Sequence, residues 1–383
     1  MDLPPTSLYV HFPWCIKKCP YCDFNSHALK RTLDEPSYLR ALVADLDHEM
    51  PLVRNRNLES IFLGGGTPSL FSANAISSLL HAVGDRFALS GQTEITMEAN
   101  PGSLEHDQFD RYLQAGINRL SLGIQSFNDD HLKILGRIHD SHIAEKALAA
   151  ARQAGFENLN IDLMYGLPHQ TVEMAVSDCN RAMEHSPAHI SYYQLTIEPQ
   201  TRFFADPPEL PGNDRQFEMQ VAIQERLREE GYFQYEVSAY CVPDRECVHN
   251  VNYWEFGDYL GIGAGAHSKI TRNNRVSRFW KQKHPETYMD QVSRNGPYRT
   301  QTAVPPGDLL FEFMLNGLRL KNGVALEQCE QRTGLPAQEI RRRLSGLLDS
   351  GWVHLTDDRI ACSDQGYLFI DEILQTLLPD PDP

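Results

Sequence analysis

The sequence Cys15-Ile16-Lys17-Lys18-Cys19-Pro20-Tyr21-Cys22 places three thiols within eight residues. It follows the apolar, alternating run 8–12, which predicts a β-strand that ends at Pro13. We therefore expect the cysteines on a flexible loop at the carboxyl end of that strand. Thiolates bind soft metals and iron–sulfur clusters, and three of them suit a four-iron cluster with one iron free of protein ligands. A structural zinc site would need a fourth ligand, for which His11 and His27 are the nearby candidates.

Composition limits the classes of protein to which the chain can belong. Its 383 residues predict one large and one small domain, and its hydrophobic share of 41% is ordinary for a soluble protein. A formal net charge of −16 argues against binding to nucleic-acid phosphates. No apolar run has membrane-spanning length, and the first residues lack the pattern of a signal peptide or an Arg-rich transit leader. Eight cysteines, three of them clustered, favour a reducing compartment, so we expect a cytoplasmic protein.

Strands and helices alternate along the first half of the chain. Runs rich in β-forming residues predict strands at 8–12, 61–63, 94–98, 119–125, 159–164 and 190–196. Amphipathic spacing predicts helices at 37–49, 73–87, 104–115, 143–154 and 172–184. This alternation is typical of parallel βα units, and six units could close most of a barrel. A Rossmann fold is disfavoured, because no Gly-x-Gly-x-x-Gly opens the first helix.

Glycine and polar residues cluster where the predicted strands end. Gly64-Gly65-Gly66-Thr67, Glu98 and Gln125 follow or close three of the strands, and Asp162 lies within a fourth. In parallel barrels the carboxyl ends of the strands share one mouth, so we expect these residues beside the cysteine loop. Backbone without side chains at the glycine run would allow a ligand to approach closely.

The pattern changes after residue 210. The polar, proline-punctuated span 281–307 predicts a linker, and helices at 327–332 and 336–348 before a hairpin at 352–361 are typical of a winged helix. Arg341-Arg342-Arg343 would lie on the reading helix of a DNA-binding domain. However, residues 309–383 contain 7 Lys or Arg and 12 Asp or Glu, which favours a solvated helix face. We predict domains at 1–210, 211–300 and 301–383, the last covering the barrel mouth or contacting a partner.

The spacing of the cysteines and their flanking residues resembles that of a known family. Cys-x3-Cys-x2-Cys, with an aromatic residue before the third cysteine, is similar to the signature of radical S-adenosylmethionine (SAM) enzymes. Tyr9-Val10-His11-Phe12-Pro13-Trp14 and Asp23-Phe24-Asn25-Ser26 resemble the branch that contains oxygen-independent coproporphyrinogen III oxidase and the HemW-type heme chaperones. The resemblance implies an α/β fold with a partial (β/α)6 barrel and a small C-terminal winged-helix-like domain.

The resemblance also implies cofactors for the predicted site. Cys15, Cys19 and Cys22 would hold a 4Fe–4S cluster, and its open iron would bind SAM for cleavage by one electron. The residues implied to bind SAM are Tyr9, Tyr21, Gly65, Gly66, Thr67, Glu98, Gln125, Arg137 and Asp162. No residue is predicted to be catalytic.

The segment His249-Asn250-Val251-Asn252-Tyr253-Trp254 is similar to the HNxxYW pattern of heme chaperones. In that pattern the histidine is the implied heme ligand, which here is His249, and imidazole is a common axial ligand of heme iron. Tyr253 and Trp254 could pack on a porphyrin face. Cys247 is a second soft ligand nearby and remains an alternative.

Two departures separate the chain from the oxidase. The oxidase has a further cysteine two residues after the third, where this chain has Phe24, and a longer segment before its cysteines, where this chain has fourteen residues. The resemblance therefore implies a heme chaperone that binds heme, a 4Fe–4S cluster and SAM and passes heme to an acceptor protein. An electron-donor protein would be a second partner, nucleic acid would not bind, and any membrane association would be weak and run through the acceptor. The alternatives are a coproporphyrinogen III oxidase of porphyrin biosynthesis, acting by oxidative decarboxylation, and a redox-responsive binding module without turnover.

Overall fold

The structure is a computed structural model that describes residues 3–54, 56–103, 109–296, 298–356 and 358–378. The strands up to residue 194 are β1 (Thr6–Phe12), β2 (Trp14–Cys15), β3 (His27–Ala28), β4 (Leu58–Gly65), β5 (Glu94–Ala99), β6 (Arg119–Gln125), β7 (Asn158–Tyr165) and β8 (His189–Gln194). Strands β1 and β4 to β8 lie side by side in chain order and pair in parallel. The predicted fold class is confirmed: the sheet is an open, partial barrel of βα units.

The two faces of these strands differ because side chains alternate across a strand. The outer face is apolar, and residues such as Leu8, Val10 and Met97 are fully buried in the main core. The inner face is polar instead. Its residues include Ser7, Tyr9, His11, Ser60, Glu94, Glu98, Ser121, Asn160 and Asp162. A polar barrel interior is where binding chemistry can be placed.

The helices of this part cover the apolar face. They are α1 (Glu35–Glu49), α2 (Ala73–Gly84), α3 (Phe109–Gln114), α4 (Asp129–Ile134), α5 (Ser141–Gln153), α6 (Val172–Glu184), α7 (Arg202–Ala205) and α8 (Asn213–Glu229). Side chains of Asp34, Ser72, Asp140 and Thr171 cap α1, α2, α5 and α6 by accepting a backbone N–H three residues on. Of the helix predicted at 104–115, residues 104–108 lie outside the described residues. In the part of the chain that is described, no helix is both long and apolar enough to cross a membrane.

Further strands extend the sheet at both ends. These are β9 (Phe233–Glu236), β10 (Ala239–Cys241), β11 (Asp258–Ile262), β12 (His267–Arg272), β13 (Arg275–Lys281) and β14 (Arg299–Ala303), with helices α9 (Val248–Trp254) and α10 (Pro285–Ser293) between them. Strands β10 and β9 continue the sheet beyond β8, and β11 to β14 continue it beyond β1. Because β11 and β4 both pair with β1, the strand that leads to the cysteines lies in the interior of the sheet.

The predicted linker at 281–307 is wrong, because this segment is folded into the sheet. It contains the end of β13, α10 and β14, and α10 packs its buried residues Tyr288 and Val292 against α1. Polar residues in this span make buried contacts instead of facing water. Lys281 Nζ contacts a carboxylate oxygen of Asp45 and lies 2.9 Å from Glu49 Oε1, with all three side chains inaccessible to solvent. Composition alone does not distinguish such a buried ion network from a solvated linker.

The C-terminal unit contains the helices predicted at 327–332 and 336–348 and the hairpin that follows them. It contains α11 (Leu309–Gly317), β15 (Val324–Ala325), α12 (Leu326–Thr333), α13 (Ala337–Asp349), β16 (Val353–Thr356), β17 (Arg359–Cys362), α14 (Asp364–Leu368) and α15 (Ile370–Thr376). Arg341 pairs with Asp358, while Arg342 and Arg343 pair with Glu339, so acidic neighbours neutralise the arginine run. The core of this unit also takes in residues from β9, β10 and the end of α9. The domain boundaries at 210 and 300 remain predictions.

We expect Lys281→Met to lower the free energy of unfolding by about 3–5 kcal/mol, because it leaves buried carboxylates without their lysine partner. Urea unfolding of SAM-free protein measures this change. The matched control is Lys283→Met, which removes an exposed lysine two residues away and should change the free energy by less than about 0.5 kcal/mol. Equal effects of the two substitutions would contradict the role assigned to the buried network.

Candidate functional site

The three cysteines lie on a loop whose ends are joined. Strand β2 pairs in parallel with β3, so Cys15 itself begins the loop within a two-residue strand. The backbone N–H of His27 donates to the carbonyl of Pro13 at 2.7 Å, and the N–H of Leu29 donates to the backbone carbonyl of Cys15 at 2.9 Å. Between these two hydrogen bonds, the N–H of Cys22 donates to the backbone carbonyl of Cys19 in a turn. The predicted loop is therefore present, and its base is fixed to the carboxyl end of β1.

Each sulfur has a hydrogen-bond donor close by. Thr67 Oγ1 donates to Cys15 Sγ at 3.4 Å, and Arg137 Nη1 donates to Cys19 Sγ at 3.7 Å. The Ser26 hydroxyl lies 3.9 Å from Cys22 Sγ. Burial raises the pKa of the Cys15 and Cys22 thiols, so metal binding would release their protons. Donors aimed at the sulfurs favour the thiolate forms that ligate iron.

The zinc alternative lacks a fourth ligand in this arrangement. His11 Nε2 donates to the carbonyl of Asn25 at 2.9 Å, and its Nδ1 lies 2.9 Å from the Tyr9 hydroxyl, so both ring nitrogens are engaged. The His27 ring packs edge-on against His284, with 5.5 Å between centroids. Among the described residues, no three His, Cys, Asp or Glu side chains converge to hold a single metal ion. Three thiols without a histidine fit a larger object, such as the predicted cluster.

A cavity of about 390 Å³ opens beside the cysteine loop. The structure brings together here all but one of the residues predicted to hold the cluster or SAM. Those lining the cavity are Cys15, Cys19, Tyr21, Cys22, Gly65, Gly66, Thr67, Glu98, Gln125, Arg137 and Asp162. We call it the first cavity.

The glycines at the end of β4 permit close contact with β1. Gly65 has φ +108°, and a Cβ atom there would lie 2.4 Å from the His11 ring. A Cβ at Gly66 would lie 2.5 Å from the carbonyl oxygen of Trp14 and 2.7 Å from that of Phe12. The Gly66 N–H donates to the latter carbonyl at 2.7 Å. A side chain at Gly65 would displace the His11 ring, and one at Gly66 would displace the start of the cysteine loop.

Two carboxyl groups lie on the inner wall of the first cavity. Glu98 Oε2 accepts the backbone N–H of Gly65 at 3.0 Å. Burial, with a smaller contribution from the charge of Asp162, raises the pKa of Glu98 to about 8. Asp162 is held by Asn160 at 2.7 Å and Ser121 at 3.1 Å. A ligand that brings hydroxyl donors or positive charge to these oxygens would relieve the cost of burying them.

Gln125 and Arg137 complete the opposite wall. Gln125 adopts φ +72° at the end of β6, an uncommon conformation for a residue with a side chain, and accepts a hydrogen bond from Tyr193 at 2.6 Å. Arg137 donates to the carbonyl of Gly123 at 2.6 Å as well as to Cys19. Tyr21 is half-buried and packs near Phe203, with 6.5 Å between ring centroids.

Tyr9 is the predicted SAM residue that lies elsewhere. It lines a second cavity of about 680 Å³ that lies deeper along β1 and adjoins the first cavity at Gly65, Glu98 and Asp162. Its ring lies near those of Phe62 and His249, at centroid distances of 6.3 and 6.4 Å. Tyr9 is therefore grouped with the predicted heme residues, although the sequence resemblance places it with the SAM residues.

The imidazole of His249 is held in one tautomer by two serines. Ser60 donates its hydroxyl hydrogen to Ser7 at 2.8 Å, so its oxygen accepts the Nδ1–H of His249 at 2.9 Å. Nε2 then carries the lone pair, and it has no hydrogen-bond partner among the described residues. Burial, followed by the charge of Arg119, lowers the pKa of His249 to about 3. A neutral imidazole with one free nitrogen is the form that binds a metal.

Glu94 fixes the start of α9, which carries His249. Its carboxylate accepts the backbone N–H groups of Val248 and His249, both at 3.1 Å, and the thiol of Cys247 at 3.5 Å. Sequence reasoning missed Glu94 and Ser60. The sequence did contain a signal for Glu94. It lies four residues before Glu98 on the same strand, so the two side chains share the inner face of that strand.

The alternative heme ligand Cys247 is less suited than His249. It is fully buried, is not among the residues that line the second cavity, and burial raises the pKa of its thiol to about 12. By contrast, His249, Tyr253 and Trp254 all line that cavity.

Sequence and structure comparisons agree on the relatives of the chain. The family profile described as the Radical SAM superfamily matches residues 9–182, and that of the HemN C-terminal domain matches residues 304–369. Heme chaperone HemW of Haemophilus influenzae is 44% identical over 384 residues, which cover 99% of each chain. Heme chaperone HemW of Escherichia coli is 44% identical over 382 residues, covering 99% of this chain and all of that protein.

A solved structure supports the same grouping. Escherichia coli coproporphyrinogen III oxidase (HemN), described as a radical SAM enzyme, matches with a TM-score of 0.82 at 27% identity, covering 98% of this chain and 90% of that one. The chain therefore belongs to the radical SAM superfamily and, within it, to the heme chaperone HemW family.

Proposed function

We propose that this chain is a heme chaperone that binds heme at His249, holds a 4Fe–4S cluster and SAM in the first cavity, and passes heme to an acceptor protein. The observation that carries the proposal is the His249 imidazole. Its Nδ1–H is committed to Ser60, its buried Nε2 has no hydrogen-bond partner among the described residues, and burial lowers its pKa to about 3. The residue lines a cavity of about 680 Å³. A volume of this size lies within the range of small-molecule sites.

The second cavity offers heme more than an axial ligand. Tyr9, Phe62 and Tyr253 supply aromatic surface for the porphyrin, and Phe62 stacks on His249 with 4.9 Å between centroids. Lys283, an exposed cation at the rim, could pair with a propionate carboxylate. Arg119 lies deeper in the same cavity.

The residues around the first cavity fit the cluster and SAM. Cys15, Cys19 and Cys22 would ligate three irons, and Gly65 and Gly66 line the same cavity, where the polar end of SAM would lie. When bound, the cluster and SAM supply one-electron chemistry at the sulfonium group. The Glu98 carboxyl could accept hydrogen bonds from ribose hydroxyls. Because burial raises the pKa of Glu98 to about 8, ligand binding that brings these donors would favour ionisation.

The partners follow from this role. An acceptor protein would receive the heme, and an electron donor would reduce the cluster. We place the protein in the cytoplasm because all eight cysteines, each within the described residues, are free thiols. The paired arginines of the C-terminal unit favour a contact surface over nucleic-acid binding.

The second candidate function is that of a coproporphyrinogen III oxidase. The match to the oxidase structure favours it, because the barrel and the C-terminal unit both superimpose. Phe24 argues against it: at the position where the oxidase is expected to have its further cysteine, this chain has an exposed phenylalanine that lines both cavities.

We predict that cluster-loaded protein supplied with SAM, a reductant and coproporphyrinogen III under anaerobic conditions forms no protoporphyrinogen. Liquid chromatography of the oxidised porphyrins measures the product. An authentic oxidase assayed in parallel shows that the substrate and reductant are competent. Steady formation of protoporphyrinogen that depends on SAM would contradict the chaperone proposal and show that the protein is an oxidase.

We predict that His249→Ala weakens heme binding by at least about tenfold, since the bond to the iron is lost. Titration of heme into protein with an intact cluster, followed by absorbance, measures the affinity. His267→Ala is the matched control, because this exposed histidine lines the same cavity, and its effect should stay within about twofold. Ser60→Ala should give a smaller loss than His249→Ala, of about tenfold at most, because the imidazole is no longer held in one tautomer. An unchanged titration of His249→Ala would remove this residue from the heme site.

We predict that Cys19→Ser abolishes the cluster, because a hydroxyl is a poor substitute for a thiolate ligand. Iron and sulfide content after anaerobic reconstitution, together with the visible absorbance, measure it. Cys362→Ser, in the C-terminal unit, is the control and should keep the full complement of both. Iron and sulfide equal to wild type in Cys19→Ser would exclude this sulfur as a ligand.

A further inference from the structure

A groove of about 630 Å³ lies on the outer side of the cysteine loop. Four cations line it, Lys17, Lys18, Lys133 and Arg202, against one carboxylate, Asp206. We call it the basic groove. All four cationic residues are exposed. The residues that line the groove therefore carry a net positive charge, whereas the whole chain has a formal net charge of −16.

Both walls of the basic groove are fixed to the cysteine loop at Pro20. On one side, the turn after α4 approaches so closely that a Cβ at Gly136, where φ is +69°, would lie 2.8 Å from Pro20 Cδ. On the other side, the N–H of Phe203 in α7 donates to the carbonyl of Pro20 at 2.9 Å. The backbone segments that carry Lys133 and Arg202 are therefore fixed against the loop that carries the sulfurs.

The cysteine loop is the partition between the basic groove and the first cavity. Lys17, Cys19 and Cys22 line both spaces. A molecule seated in the groove would thus be separated from a cluster on these sulfurs by the loop alone. The first cavity, on the other side, remains free for SAM.

The cations of the groove are available to a partner. Lys133 pairs with Asp130 at 3.1 Å, but both side chains are more than three-quarters exposed, so this pair contributes little and can be exchanged. Lys18 Nζ donates to the backbone carbonyl of Phe24, which is an uncharged acceptor. Apolar surface adjoins the cations, because Ile16 and Phe204 are 47% and 58% exposed. A basic rim with exposed apolar side chains is suited to a small protein interface.

We propose that the basic groove is the docking surface for an acidic one-electron donor protein. The inference rests on the proposed cluster and names the surface through which that cluster is reduced. An acidic partner is repelled by most of this chain and attracted at the groove, which would orient the encounter. In the transfer, one electron leaves the donor, which is oxidised, and one electron enters the cluster, which is reduced. No bond forms or breaks, and no proton is required.

The test uses cluster-loaded full-length protein and a fully reduced, strongly acidic flavodoxin as the probe. The variant is Lys133→Glu with Arg202→Glu; neither residue lines the first cavity. The control is Lys146→Glu with Arg228→Glu, exposed residues that give the same change in net charge elsewhere. Stopped-flow absorbance measures cluster reduction by flavodoxin at low and high salt. Reduction by dithionite, iron content and heme titration are measured on the same samples.

We expect the groove variant to be reduced by flavodoxin at least about tenfold more slowly at low salt, with the difference shrinking as salt rises. The control variant should stay within about twofold of wild type, and dithionite should reduce all three proteins alike. Equal slowing in both variants would assign the effect to net charge and overturn the proposal, as would wild-type kinetics in the groove variant. Absence of iron in all three proteins would instead defeat the proposed function, on which the proposal rests.

Discussion

The close backbone contact between the ends of β1 and β4 is the constraint on which the rest of the site depends. Gly65 and Gly66 have no side chains, so the His11 ring lies directly against Gly65, and the carbonyls of Phe12 and Trp14 lie directly against Gly66. This contact holds the start of the cysteine loop over the mouth of the barrel. The same glycines bring the Gly65 N–H to Glu98, which links the loop to the polar inner face. Sulfur ligands, backbone and carboxylate therefore converge because one strand end lacks Cβ atoms.

The inner face of the sheet then separates two kinds of chemistry along its length. At the mouth, three sulfurs and the carboxyl groups of Glu98 and Asp162 line the first cavity. Deeper in, serine hydroxyls fix His249 with a free nitrogen, and Glu94 holds the helix that carries it. The two cavities meet at Glu98 and Asp162. A ligand in one can therefore influence the electrostatics of the other, so heme bound as proposed would respond to the redox state of the proposed cluster.

Much of this arrangement could be predicted because short patterns carry it. The cysteine spacing, the glycine run, Glu98 and Gln125 follow strands in a parallel alternation, so their convergence at one mouth follows from the fold class. Tyr9 lines the second cavity, which adjoins the first, and its assignment to SAM stays a prediction. The buried partners of Lys281 depend on long-range packing against α1, so a polar, proline-containing span resembled a linker. The tautomer of His249 likewise depends on Ser7 and Ser60, which are distant in sequence and adjacent only in the sheet.

Electron paramagnetic resonance of anaerobically reconstituted, reduced protein, recorded before and after addition of SAM, tests the central claim most directly. The account predicts the signal of a reduced 4Fe–4S cluster that changes when SAM is added, because three sulfurs leave one iron open to that ligand. Zinc in place of iron, or a cluster signal indifferent to SAM, would contradict it.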